Sequence, residues 1–91
     1  MPDVVVAVPT RRRSVDELRG PLEAALDREL PPGLLQRRWE GDVLHVWAAG
    51  ATGTITLEGG QIVARARLAP PVSLLRSMVE QRMAAALQAV S

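Results

Sequence analysis

Two hydrophobic periods divide this chain. From Asp3 to Val8 a β-branched run ends at Pro9, which predicts a first strand. From Ser14 the period changes. Val15, Leu18, Leu22, Leu26 and Leu30 recur at steps of three and four, the single apolar stripe of an amphipathic helix. Ser14-Val15-Asp16-Glu17 fits a capping box, in which the Ser hydroxyl and the Glu carboxylate satisfy free backbone N–H groups at the helix start. Gly20-Pro21 interrupts this pattern, because proline lacks the N–H and crowds the preceding turn. The stripe stays in phase across it, so a kink is expected rather than a helix that starts at Pro21. Leu30-Pro31-Pro32-Gly33 closes the element.

Alternation with period two follows. Leu34 to Trp39 and Val43 to Ala48 flank Gly41-Asp42, which predicts a tight hairpin with Trp39 facing Leu44 and Arg38 facing His45. Leu35, Trp39, Leu44, Val46 and Ala48 then share one face, with Gln36, Arg38, His45 and Trp47 on the other. Arg37 falls on the apolar face, where its stem must snorkel to an edge or a bulge must shift the register. Ala49 to Gly53 reads as a loose turn. Thr54 to Glu58 and Gln61 to Leu68 make a second hairpin around Gly59-Gly60. Ile55, Leu57, Ile62, Ala64, Ala66 and Leu68 point one way; Thr54, Thr56, Glu58, Val63, Arg65 and Arg67 point the other. After Ala69-Pro70-Pro71 a last helix spans roughly 72–90. Its sheet-facing stripe is Val72, Leu75, Val79, Met83, Ala86 and Val90, and Leu74, Met78, Ala85 and Ala89 widen its apolar surface. The expected fold class is α+β, in the order β-α-β-β-β-β-α, with two helices on one face of an antiparallel sheet.

At 91 residues the chain is expected to form one α+β domain over 1–91. Small domains bury a modest share of their surface, which favours association, and a homodimer is expected. The chain has no cysteine, so disulfides and thiol chemistry are excluded. No apolar run approaches a membrane span, and Val4 to Val8 is too short for a signal sequence, so a cytoplasmic location is expected. The net charge of +1 favours no partner. Its distribution is uneven: the first helix is acidic, whereas Arg11-Arg12-Arg13 and the sheet segments are basic.

Candidate chemistry is sparse. His45 is the only histidine, and a lone imidazole lacks the three or four ligands of a metal site and the paired groups of a catalytic one. Asp42 reads as turn chemistry, and the glycines form no phosphate-binding loop. No cofactor and no enzymatic activity are expected. Two surfaces remain. Trp47 with Arg38, His45, Arg65 and Arg67 could stack on and clamp single-stranded nucleic acid, although such faces usually carry several aromatics. Leu74 and Met78 offer surplus apolar surface on the last helix, suited to another copy, a partner or a lipid-like surface.

The pattern Arg38-Trp39-Glu40-Gly41-Asp42-Val43-Leu44, then Gly53-Thr54-Ile55, then Val63 to Leu68 before a long helix, resembles the polyhydroxyalkanoic acid system family of small bacterial proteins. The similarity covers essentially the whole chain. It implies a cytoplasmic, non-enzymatic binding or structural protein tied to polyhydroxyalkanoate storage granules or their coat proteins. It carries no catalytic residues. Nucleic-acid binding through the Trp47 face is the alternative from a different class.

Overall fold

A computed structural model describes residues 3–29, 35–70 and 72–91. The elements are β1 (Val4–Pro9), α1 (Val15–Glu29), β2 (Gln36–Glu40), β3 (Val43–Ala48), β4 (Ala51–Glu58), β5 (Gln61–Leu68), a 3-10 turn (Val72–Leu75) and α2 (Arg76–Val90). The five strands form one antiparallel sheet in the order β1-β5-β4-β3-β2. Both hairpins have the expected register, with Trp39 opposite Leu44, Arg38 opposite His45 and Glu58 opposite Gln61. β1 sits at one edge and β2 at the other, so α1 must carry the chain across the whole sheet. Its 15 residues span about 22 Å at 1.5 Å each, close to the roughly 19 Å across five strands.

One apolar cluster joins the helices to the inward face of the sheet. Val4, Val6 and Val8 of β1, Leu44, Ile55, Ile62, Ala64, Ala66 and Leu68 meet Leu18, Leu22, Ala25 and Leu26 of α1 and Ala86, Leu87 and Val90 of α2. No side chain with a polar or charged head is buried among the described residues.

Four expectations are refined. First, α1 begins at Val15 and continues unbroken through Pro21, so the alternative start at Pro21 is excluded. Proline leaves the carbonyl four residues earlier without its helical donor. That carbonyl belongs to Glu17, and Arg12 Nη1 donates to it at 3.1 Å. The capping box is only partly realised: Glu17 N donates to Ser14 Oγ at 3.4 Å, but the Glu17 carboxylate accepts from Arg13 N, one residue earlier than the motif implies. Second, Arg37 does face the helices, with neither a bulge nor a free snorkelling head. Arg37 pairs in register with Val46. Its guanidinium meets Glu23 at 3.2 Å and Asp27 at 2.8 Å on α1. The hydrogen bond that Arg37 donates to Asp27 raises the Arg37 pKa above its usual value and holds the Asp27 carboxyl below its own.

Third, the loose turn at 49–53 is a tight Ala49-Gly50 turn, and Ala51 to Gly53 already belong to β4. Fourth, the last helix starts as a 3-10 turn, and Leu75 is half exposed rather than seated on the sheet. Leu87, outside the expected stripe, is buried instead. Helix α2 packs against α1 as well as the sheet, so its buried side is turned toward Met83, Ala86, Leu87 and Val90. The end of the α1 stripe at Leu30 and the breaks at Pro31-Pro32 and Pro71 lie outside the described residues.

Candidate functional site

Helix α2 is fastened at both ends. At its C-terminus Arg12 Nε donates to the Val90 carbonyl and Thr10 Oγ1 donates to Ser91 O at 3.2 Å. Terminal helix carbonyls have no partner within the helix, so these donors satisfy groups that would otherwise face solvent. Thr10 Oγ1 in turn accepts from Arg12 N at 3.1 Å, which orients the loop. Thus Arg12, within the basic run Arg11-Arg12-Arg13, ties α1 to α2. At the other end Ala69 N donates to Gly50 O at 2.8 Å, and Ser73 N donates to Ala69 O at 3.1 Å. Gly50 has a φ of +81°, and a Cβ there would lie 2.8 Å from Val72 Cγ2. Only glycine permits both that backbone and that approach.

Between these attachments α2 does not close onto the sheet. A cavity of about 290 Å³ lies between them, at the small end of the range for ligand pockets. Its floor is built largely of small residues, Ala48, Ala51, Gly53 and Ala66, with Val46, Ile55 and Leu68. Val72, Leu75, Met78, Val79 and Met83 roof it, and Leu26 and Leu35 also line it. Gly53 has no room for a side chain, since a Cβ would lie 2.6 Å from Arg65 O. Among the described residues, the only charged ones in the lining are Arg82 and Glu29, which face each other at 3.6 Å. Arg82 is 58% exposed and Glu29 22%. The cleft therefore offers apolar contact along its length and one ion pair at its margin.

The opposite face of the sheet carries the remaining candidates in two cross-strand rows. One runs Arg38, His45, Thr54, Arg65, and the next runs Gln36, Trp47, Thr52, Arg67. His45, Arg65 and Arg67 line a shallow groove there. Part of its charge is already matched. Arg65 donates to Glu58 through Nη1 at 2.7 Å and Nη2 at 3.2 Å, and His45 Nε2 lies 3.8 Å from Glu40. The Arg65 hydrogen bonds, with a further one from the Thr56 hydroxyl, pull the Glu58 pKa down to about 2. Among the described residues, no three His, Cys, Asp or Glu side chains gather as metal ligands would.

The sequence candidates thus divide. Trp47, His45, Arg38, Arg65 and Arg67 do share one face, and Trp47 is 38% exposed. Leu74 and Met78 lie on the helical side, at 84% and 48% exposure, and only Met78 reaches the cleft. The cleft itself was not anticipated. Its one sequence signal is the run of small residues at inward-facing positions of β3, β4 and β5, which leaves volume under any helix held above it.

Compared with known proteins, the chain matches no family model, no curated protein and no solved structure.

Proposed function

We propose that this chain is a non-enzymatic binding protein that engages apolar, ester-rich material through the start of α2. The carrying observation is a continuous apolar region. Leu74, Leu75 and Met78 are exposed beside a cleft whose lining holds a single ion pair. Monomeric proteins seldom expose contiguous apolar patches without a use for them. The resemblance to the polyhydroxyalkanoic acid system family gives the material a name: storage-polyester granules in the cytoplasm, or their coat proteins. No helix among the described residues is long and apolar enough to cross a membrane, so adsorption at a surface suits this reading better than insertion of a span.

The same surface is our proposed homodimer contact, since two copies would cover each other's Leu74 and Met78. Dimerisation and granule adsorption then compete. The test is co-sedimentation of the purified protein with polyhydroxyalkanoate granules. Binding is expected to persist at high salt and to be lost in the Leu74→Glu, Met78→Glu double variant. Sedimentation at micromolar concentration is expected to give a dimer that the same variant dissociates.

A second reading keeps nucleic acid as the partner. It is favoured by the groove that His45, Arg65 and Arg67 share. Against it stand the Glu58–Arg65 pair and the single aromatic on that face. Phosphate contacts release counterions, so oligonucleotide affinity that falls steeply with salt would favour this reading.

A further inference from the structure

We infer that the cleft beneath α2 takes one medium-length aliphatic acyl chain, with its oxygen-bearing end at Arg82. This deepens the proposed function by giving the binding protein a specific internal site.

A helix free at one end would settle onto a floor of alanine and glycine until the gap closed. Here Arg12 and Thr10 hold the C-terminus of α2, and the Gly50–Val72 contact with the Ala69–Gly50 hydrogen bond holds the other end. The space is therefore a product of the fastenings and of the small floor residues.

Shape then selects the ligand. The roof runs along the chain from Leu75 to Met83, about 12 Å at 1.5 Å per residue. The cleft's volume of about 290 Å³ is small for a ligand pocket, which favours a slender ligand over a bulky one.

Chemistry sets the direction. A chain carried wholly inside would meet no polar partner among the apolar lining, so its oxygen atoms belong at the margin. Arg82 is the only cation in the lining among the described residues, and its side chain is more than half exposed. Among the described residues Arg82 meets only Glu29, at 3.6 Å, so most of its five N–H donors are open to a carbonyl or carboxylate oxygen. A straight-chain acyl group of about ten carbons, about as long as the roof, satisfies these conditions.

Calorimetric titration with decanoate, decan-1-ol and butanoate, each below its micelle concentration, tests this. We expect one saturable site for decanoate per chain and affinity for butanoate at least tenfold weaker. Arg82→Gln should weaken decanoate by about threefold to tenfold and leave decan-1-ol unchanged. Ala51→Leu and Ala48→Leu, checked for folding by circular dichroism, should each weaken both ten-carbon ligands at least tenfold. Intermolecular NMR contacts from decanoate methylenes to the Met83 methyl are expected in the unaltered protein, so the inference does not depend on any variant folding. Absence of saturable decanoate binding, absence of those NMR contacts, or equal binding by a folded Ala51→Leu protein would overturn it. An Arg82→Gln protein with undiminished decanoate affinity would overturn the assigned orientation. Leu74 lies outside the cleft, so Leu74→Glu should keep decanoate binding while losing granule adsorption. Granule adsorption without decanoate binding defeats this inference alone; decanoate binding without granule adsorption defeats the granule reading alone.

Discussion

The two halves of α2 meet the same sheet in opposite ways. The C-terminal half presents Ala86, Leu87 and Val90, all nearly inaccessible, to β1 and α1. The N-terminal half, with the 3-10 turn before it, presents Leu75, Met78 and Val79 to an open cleft, while Leu74 faces solvent. Composition does not explain the contrast, because both halves carry apolar residues at helical spacing. What lies beneath them does. The packed half rests on the valines of β1 and is flanked by α1, whereas the open half passes over Ala48, Ala51, Gly53 and Ala66. Stability is thus concentrated at one end of the molecule and accessible apolar surface at the other.

Paired truncations test that contrast most severely. Leu87→Ala should cost about 2–5 kcal/mol, a large share of what so small a domain possesses. Met78→Ala should cost less than about 1 kcal/mol, because half of that side chain is already exposed. Urea unfolding of both variants measures the difference, and equal losses would remove the distinction between the halves.

The two tryptophans extend the comparison to the two faces of the sheet. Trp39 lies on the covered face, but it is half-buried rather than enclosed. Arg19 roofs it, with the guanidinium carbon 5.0 Å from the ring centre, in a cation–π contact. Trp39→Ala should therefore cost about 2–3 kcal/mol, below the 3–5 of a fully enclosed ring. Trp47→Ala, on the open face, should cost about 1 kcal/mol or less. Equal losses would contradict the register of the first hairpin.

Smaller effects separate the fastenings of α2. Arg12→Ala removes donors to the Glu17 and Val90 carbonyls and should cost about 1–2 kcal/mol. Amide hydrogen exchange should then quicken near Val90 and around Pro21. Gly50→Ala imposes a left-handed backbone on alanine and crowds Val72, so a loss of about 1–3 kcal/mol is expected, with faster exchange near Ser73. If either variant quickens exchange along the whole helix equally, the two attachments are not separate.

The smallest effect concerns pH. Arg65 and Thr56 hold the Glu58 carboxyl at about 2, against 4.5 for the free group. A carboxyl with a depressed folded pKa contributes stability above its unfolded pKa and loses it as pH falls toward the folded value. The Glu58 contribution should therefore fade between about pH 5 and pH 2. Asp27, lowered by its hydrogen bond to Arg37, acts in the same direction. Glu58→Gln should flatten the acid limb of the stability profile in thermal melts. An unchanged limb would mean that the pair on this exposed face is screened by solvent.

Local rules within the chain determined most of the architecture. Gly41-Asp42 and Gly59-Gly60 fixed both hairpin registers, because a two-residue turn leaves one pairing open to its flanking strands. Those registers put Arg38, His45 and Trp47 on one face of the first hairpin and Arg65 and Arg67 on one face of the second; the tight turn at Ala49-Gly50 then joined the two faces. The spacing of Val15, Leu18, Leu22 and Leu26 set the buried side of α1. Only the tertiary structure decided where partners came from a distance. Arg37 looks misplaced until Glu23 and Asp27 arrive from a helix 10–14 residues earlier. Arg12 reads as a loop residue until α2 brings the Val90 carbonyl to it across 78 positions. Leu87 becomes core because α1 lies against α2, a contact that helical periodicity does not encode. The cleft belongs to the same class. Small residues in three strands and fastenings at two ends of a helix are separate local facts, and a cavity exists only where the fold superimposes them.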